Sequence, residues 1–357
     1  MKKAFCSAKI AIFFLSILFI IACGGGGGDS APPGPPPAFS TADLAGLWNI
    51  IGVSTGGANQ GIMYGSGTLS STGNITSGSY FHSIGTMANM TGGSLALTGI
   101  GIISGVINTS VGVTSTVLYG KLAASKSFGS FVSTTNFGEY DLITVIKSGG
   151  SFSSTDIQGT WHICEISSGG TVENVYYGTL EVGSGGTFTT ARSSGTVTIN
   201  SAGIFSGSVP SGTATFAGAL DASKEFGVYH TTYSNGEYSI SIAIKESGIF
   251  SLSDLGGIWH FTLASNGVSE GVSYGTIQID SAGQVRGGYY RSSGANVSLS
   301  GGSVSLTTAG VLTGTINASD GMTFTVVYGK MNQSKNIISL VGPSSTGGRD
   351  FIIAFKE

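Results

Sequence analysis

Phe39-Ser-Thr-Ala-Asp43-Leu44-Ala-Gly46-Leu-Trp48 returns as Phe152-Ser-Ser-Thr-Asp156-Ile157-Gln-Gly159-Thr-Trp161, and again as Phe250-Ser-Leu-Ser-Asp254-Leu255-Gly-Gly257-Ile-Trp259. The shared form Phe-Ser-x-x-Asp-(Leu/Ile)-x-Gly-x-Trp is too long to recur by chance, and its copies hold all 3 tryptophans of the 357-residue chain. A phrase repeated at spacings of 113 and 98 residues marks internal repeats of roughly 100 residues. The chain therefore divides into modules at 39–150, 151–248 and 249–357.

Other columns keep step with the phrase. A Tyr-Gly pair follows each tryptophan at Tyr64, Tyr177 and Tyr274, and a Ser-Lys turn comes later at Lys126, Lys224 and Lys335. Each module closes on an apolar run ending in lysine, at Lys147, Lys245 and Lys356. Between these marks, short stretches of alternating apolar and polar residues are punctuated by turn signals such as Ser71-Thr72-Gly73 and Asn235-Gly236. In the first module this predicts eight strands: 48–53, 62–69, 77–82, 94–98, 101–107, 116–122, 128–133 and 140–147. No helical period of useful length appears beyond residue 22.

The predicted fold class is all-β, with three tandem antiparallel meander modules. Eight meandering strands leave two costly edges unless they close, so a small eight-stranded barrel per module is the leading architecture. A six-bladed β-propeller of half-modules is the alternative, since Tyr-Gly recurs at Tyr119-Gly120 and Tyr328-Gly329. A set of β-sandwiches ranks third.

The opening Asp-(Leu/Ile)-x-Gly-x-Trp resembles the Gly-x-Trp signature at the first strand of lipocalins and their calycin relatives. In that family the tryptophan closes the barrel base and a basic residue of the last strand lies against it. The resemblance implies barrel closure through Trp48 with Lys147, Trp161 with Lys245, and Trp259 with Lys356. It covers each module of about 100 residues, which is small beside a typical lipocalin, so the barrels are expected to be narrow or full.

Residues 1–22 carry Lys2, Lys3 and Lys9 and then an uncharged apolar run from Ile10 to Ala22. Thirteen residues rise only about 20 Å as a helix, short of the roughly 30 Å of a bilayer core, so the run reads as a secretory signal. Ile20-Ile21-Ala22-Cys23 resembles a lipobox. That resemblance implies cleavage before Cys23, lipidation of Cys23, and anchorage to a lipid bilayer, with Gly24 fitting delivery to the bacterial outer membrane. Residues 23–38, with five glycines and then Pro32-Pro33-Gly34-Pro35-Pro36-Pro37, form a tether.

Loss of the three signal lysines moves the formal charge from −3 to −6, which argues against nucleic acid as a partner. Charged residues make up only 9% of the chain, so Ser, Thr, Asn and Gly must dominate its surface. Of 3 cysteines, Cys6 leaves with the signal and Cys23 is acylated, so Cys164 stands alone and no disulfide forms within one mature chain.

Signals for catalysis are weak. His162 and His260 each follow a repeat tryptophan and read as outward polar residues, Cys164 as a small apolar thiol, and Glu139 and Glu237, in Gly-Glu-Tyr, as solvated hairpin acids. No metal set and no cofactor is expected. Tyr64, Tyr177 and Tyr274, with the run Tyr289-Tyr290, are candidates for lining a barrel mouth, where aromatic rings meet a small apolar or sugar ligand. The favoured reading is an envelope lipoprotein whose repeated, non-catalytic modules bind a ligand or contact another envelope surface. A structural or adhesive spacer comes second and an enzyme last.

Overall fold

The computed structural model describes residues 38–56, 60–168, 174–210, 212–267, 270–292 and 294–357. Residues 1–37, read from the sequence as a signal segment, Cys23 and most of a tether, lie outside the described residues.

The chain is all-β. The first module forms β1 (Gly46–Thr55), β2 (Gly61–Leu69), β3 (Ile75–His82), β4 (Thr86–Leu97), β5 (Ile102–Thr109), β6 (Thr114–Leu122), β7 (Phe128–Thr135) and β8 (Tyr140–Lys147). The second forms β9 (Gly159–Ser168), β10 (Val175–Val182), β11 (Thr187–Thr190), β12 (Ser194–Ile199), β13 (Ile204–Ser208), β14 (Ala214–Leu220), β15 (Phe226–Tyr233) and β16 (Tyr238–Lys245). The third forms β17 (Gly257–Gly267), β18 (Gly271–Ile279), β19 (Val285–Ser292), β20 (Ala295–Leu306), β21 (Val311–Ala318), β22 (Thr323–Met331), β23 (Ile337–Pro343) and β24 (Gly348–Lys356). Each set of eight pairs antiparallel in sequence order, and its first strand pairs with its last, giving three closed barrels. Closure leaves no unpaired edge, and it rules out both the propeller and the sandwich arrangement.

The repeated phrase builds the floor of each barrel. In the first copy the Ser40 amide donates to Asp43 Oδ2 at 2.9 Å, which holds a tight 3₁₀ turn (Thr41–Leu44). Ser153 with Asp156 and Ser251 with Asp254 repeat this bond at 2.8 Å. The turn aims a carbonyl at the tryptophan four residues on: Trp48, Trp161 and Trp259 donate Nε1–H to Leu44, Ile157 and Leu255 at 2.7, 2.8 and 2.8 Å. Gly46, Gly159 and Gly257 take positive φ (121°, 105° and 138°), where a side chain is disfavoured, and so let the chain swing from turn into strand.

Lys126, Lys224 and Lys335 also take positive φ, near 60°, a strained choice for a residue with a side chain. Each is held by an ion pair to the phrase aspartate (Asp43, Asp156, Asp254) at 2.8 to 2.9 Å. The same ammonium groups lie 5.5 to 5.7 Å from the ring centres of Phe39, Phe152 and Phe250. Every invariant position of the phrase thus has a task in closing a barrel floor.

Alternation along the strands gives each barrel two apolar faces. One fills its own lumen, as in the cluster of Trp48, Leu95, Ile103, Val117, Phe131 and Ile143. The other faces a core shared by all three barrels, to which Val53, Phe128 and Leu142, Ile166, Phe226 and Ile242, and Val341, Phe351 and Ile353 contribute. The contacts run head to tail: β1 and β2 pack on β15 and β16, β9 and β10 on β22 to β24, and β17 and β18 on β6 to β8. Such heterologous contacts close into a ring, here within a single chain.

Candidate functional site

The last strand of each barrel brings its lysine beside the tryptophan of the first strand, in the pairs Trp48 with Lys147, Trp161 with Lys245, and Trp259 with Lys356. The ammonium nitrogens stand 5.4, 5.4 and 5.6 Å from the indole centres. Each also donates to the carbonyl of the phrase aspartate, at 2.9 Å to Asp43 and 2.8 Å to Asp156 and Asp254. All six closure residues therefore sit together in pairs at the barrel floors.

The candidate ligand-lining tyrosines sit chiefly at the seams between barrels. Tyr64, Tyr177 and Tyr274 pair across the ladder with Ile51, Cys164 and Thr262, residues that face away from the lumen. The period-2 alternation therefore turns the tyrosines outward as well. Each stacks on a ring of the next barrel: Tyr64 on His230 at 4.0 Å, Tyr177 on Tyr328 at 5.0 Å, and Tyr274 on Tyr119 at 5.0 Å. Of the three, Tyr177 also borders the second lumen. Tyr290 does face a lumen, that of the third barrel, and donates to Asp320 at 2.6 Å.

His162 and His260 point outward as read, but into inter-barrel seams rather than solvent. His162 Nδ1 meets the Tyr328 hydroxyl at 2.5 Å, and His260 Nδ1 meets Tyr119 at 2.6 Å. Burial is the main cause that holds both imidazoles below their usual range. At the corresponding places of the remaining seam stand Asn49 and Ala217, so the histidine and its tyrosine partner are both missing there. Cys164 is buried in the shared core, and burial pushes its thiol up to about 12, far from a reactive thiolate.

The lumens differ. The space in the first is divided, with a cavity of about 40 Å³ at the floor and another of about 200 Å³ near the mouth. The third holds about 270 Å³ and the second about 450 Å³. Six to eight residues before the end of the last strand, the first barrel has Asp141 and Glu139. Its column of Asp141, Ile143 and Val145 becomes the smaller Ser239, Ser241 and Ala243 in the second barrel, where Ala243 lines the larger cavity.

The second lumen is apolar at its floor, where Ile157, Trp161, Val182, Phe188, Val197 and Phe205 line it, and carries polar groups above. Glu165, on β9, is buried and accepts from the Tyr233 hydroxyl at 2.9 Å and from Ser241 Oγ at 2.8 Å. Burial pushes its carboxyl above the usual range, and the charge of Glu237 acts the same way. The reading of Glu139 and Glu237 as solvated acids is also corrected: Glu139 is buried at the first mouth, and Glu237 lines the second lumen with its Oε1 out of water. Both precede the last strand by an odd step that turns them inward with Asp141 and Ser239.

In the first barrel, Ser54, His82 and Asp141 come together. The Ser54 hydroxyl donates to Asp141 Oδ1 at 2.6 Å and lies 3.4 Å from His82 Nε2. Its proton is thus committed to the carboxylate instead of the imidazole, and the trio lacks the order of a nucleophile relay. Among the described residues no group of His, Cys, Asp and Glu is arranged to hold a metal ion.

No family model and no curated protein matches the sequence. Among solved structures, a redesigned β-barrel is 18% identical over 31% of this chain and 99% of its own, with a TM-score of 0.25. Transferrin binding protein B from serogroup B Neisseria meningitidis is 9% identical, covering 88% of this chain and 77% of its own, with a TM-score of 0.30. Its counterpart from Haemophilus parasuis, a mutant form, is 7% identical over 86% of this chain and 75% of its own, with a TM-score of 0.31. At these TM-scores the likenesses carry no functional argument.

Proposed function

We propose that the chain is an acylated bacterial envelope lipoprotein, held on the membrane through Cys23, whose barrels are non-catalytic and whose second barrel is a binding chamber for a small ligand. The cavity of about 450 Å³ in that barrel carries the reading, because it lies within the size range of small-molecule sites and joins an apolar floor to a few polar groups. The lipobox-like Ile20-Ile21-Ala22-Cys23 supports the anchor, and the Gly/Pro-rich stretch after it supports a tether that holds the barrels off the surface.

Binding is tested with a neutral apolar fluorophore whose emission rises out of water. Saturable binding by the wild type, abolished by Ser241→Ile with Ala243→Val, is expected, because this pair copies the filled column of the first barrel. Equal binding by wild type and variant would place the ligand elsewhere. Anchorage is tested by labelled palmitate: uptake should vanish in Cys23→Ala, and undiminished uptake contradicts it.

A further inference from the structure

We infer that the second lumen is shaped for an organic cation, a primary or secondary amine whose apolar or aromatic body fills the barrel floor. The inference rests on the reading of this lumen as a binding chamber and names the chemistry it selects.

The three barrels share their floors and differ in what stands above them. Four residues beyond the repeat tryptophan, the first and third barrels have Gly52 and Leu263, whereas the second has Glu165. This carboxyl is buried, and the groups that donate to it from Tyr233 and Ser241 are neutral hydroxyls. Glu237 adds a second carboxyl to the same cavity, with Oε1 buried and without a hydrogen-bond partner. Among the described residues neither acid forms an ion pair. A buried carboxyl without a countercharge, such as Glu165, is costly when ionised, so a ligand that brings one positive charge recovers what a neutral ligand cannot.

The walls suit the same chemistry. Trp161, Tyr176, Phe188, Phe216 and Tyr229 line the cavity, and aromatic rings attract cations. Arg192, on an exposed turn at the rim, already sets its guanidinium 5.5 Å from the centre of the Tyr176 ring. A carboxylate ligand, by contrast, would pass Arg192 at the rim and come to lie beside two acids.

Calorimetric titration of the full chain in lipid nanodiscs, with empty nanodiscs as the blank, tests this with three probes of one shape: 4-phenylbutylamine, 4-phenylbutanol and 4-phenylbutyrate. The amine should bind at least about tenfold more tightly than the alcohol. Glu165→Gln should remove most of that preference, and Glu237→Gln should reduce it. Alcohol or carboxylate binding as tightly as the amine, or an amine preference unchanged in both variants, overturns the inference and leaves the binding chamber standing. No binding of any probe overturns both.

Discussion

At the residue scale, the floor lysines and the lumen acids make opposite contributions. Lys147 lays a charge against Trp48 and donates to the Asp43 carbonyl, two contacts that methionine cannot make although it keeps the stem. Lys147→Met should therefore lose about 1 to 2 kcal/mol in urea denaturation. A loss below a few tenths would mean that the stem alone matters. Asp141 is the reverse case, fully out of water and, chiefly through burial, raised from 3.8 to about 6 despite hydroxyl bonds from Ser54 and Ser133. Its folded value lies above the unfolded one, so folding takes up a proton. The contribution is most favourable below about pH 4, declines as pH rises toward 6, and stays at its least favourable above that. Asp141→Asn should raise stability by about 1 to 3 kcal/mol at pH 7.5 and by little at pH 4, since a tenfold change in proton affinity is worth about 1.4 kcal/mol. A gain that does not change between those pH values would contradict the assignment.

At the element scale, the strands of the first module were legible because alternation and turn residues mark them. The predicted 62–69 and 140–147 stand as Gly61–Leu69 and Tyr140–Lys147, whereas the predicted 94–98 is the end of the longer Thr86–Leu97. That strand begins with Thr86-Met87-Ala88-Asn89, whose single apolar positions and the Gly92-Gly93 break conceal its length. The closure pairs were legible because first and last strands of a closed meander must run side by side. The face of Tyr64, Tyr177 and Tyr274 was not, because both faces of these strands are apolar when a barrel packs against its neighbours. Period 2 marks two faces without saying which is the lumen. The ladder sets each tyrosine opposite a residue three beyond the repeat tryptophan, an odd step from an indole that is inside, and that register exists only once the strands have paired. Glu165 was missed for a related reason: a lone acid in a strand carries no mark of its surroundings until the strand closes over it. Each tyrosine stacks on the next barrel, so Tyr274→Ala should weaken the seam between β18 and β6 and expose Tyr119. Faster amide exchange in β6 and β18 than in the barrel floors is the expected result, and uniform exchange would deny the stacking any role.

At the scale of the whole molecule, the three barrels share one apolar core, so none is complete without the others. A fragment of residues 38–150 should expose Val53, Phe128, Val132 and Leu142, and sedimentation should show it self-associated; a stable monomer would mean that the core is only a contact surface. Repetition leaves the floors alike and the lumens different, which is the expected pattern if one barrel binds and the others hold it in place. Because each barrel carries one tryptophan at its floor, the molecule provides its own reporters. With 5-fluorotryptophan incorporated, fluorine magnetic resonance should show three signals, assigned by replacing each tryptophan with phenylalanine. Titration with 4-phenylbutylamine is predicted to shift the Trp161 signal saturably at the lowest concentrations and to leave the Trp48 signal, beside a floor cavity of only about 40 Å³, in place. A Trp161 signal that does not move, or a Trp48 signal that moves with it, would contradict the binding chamber.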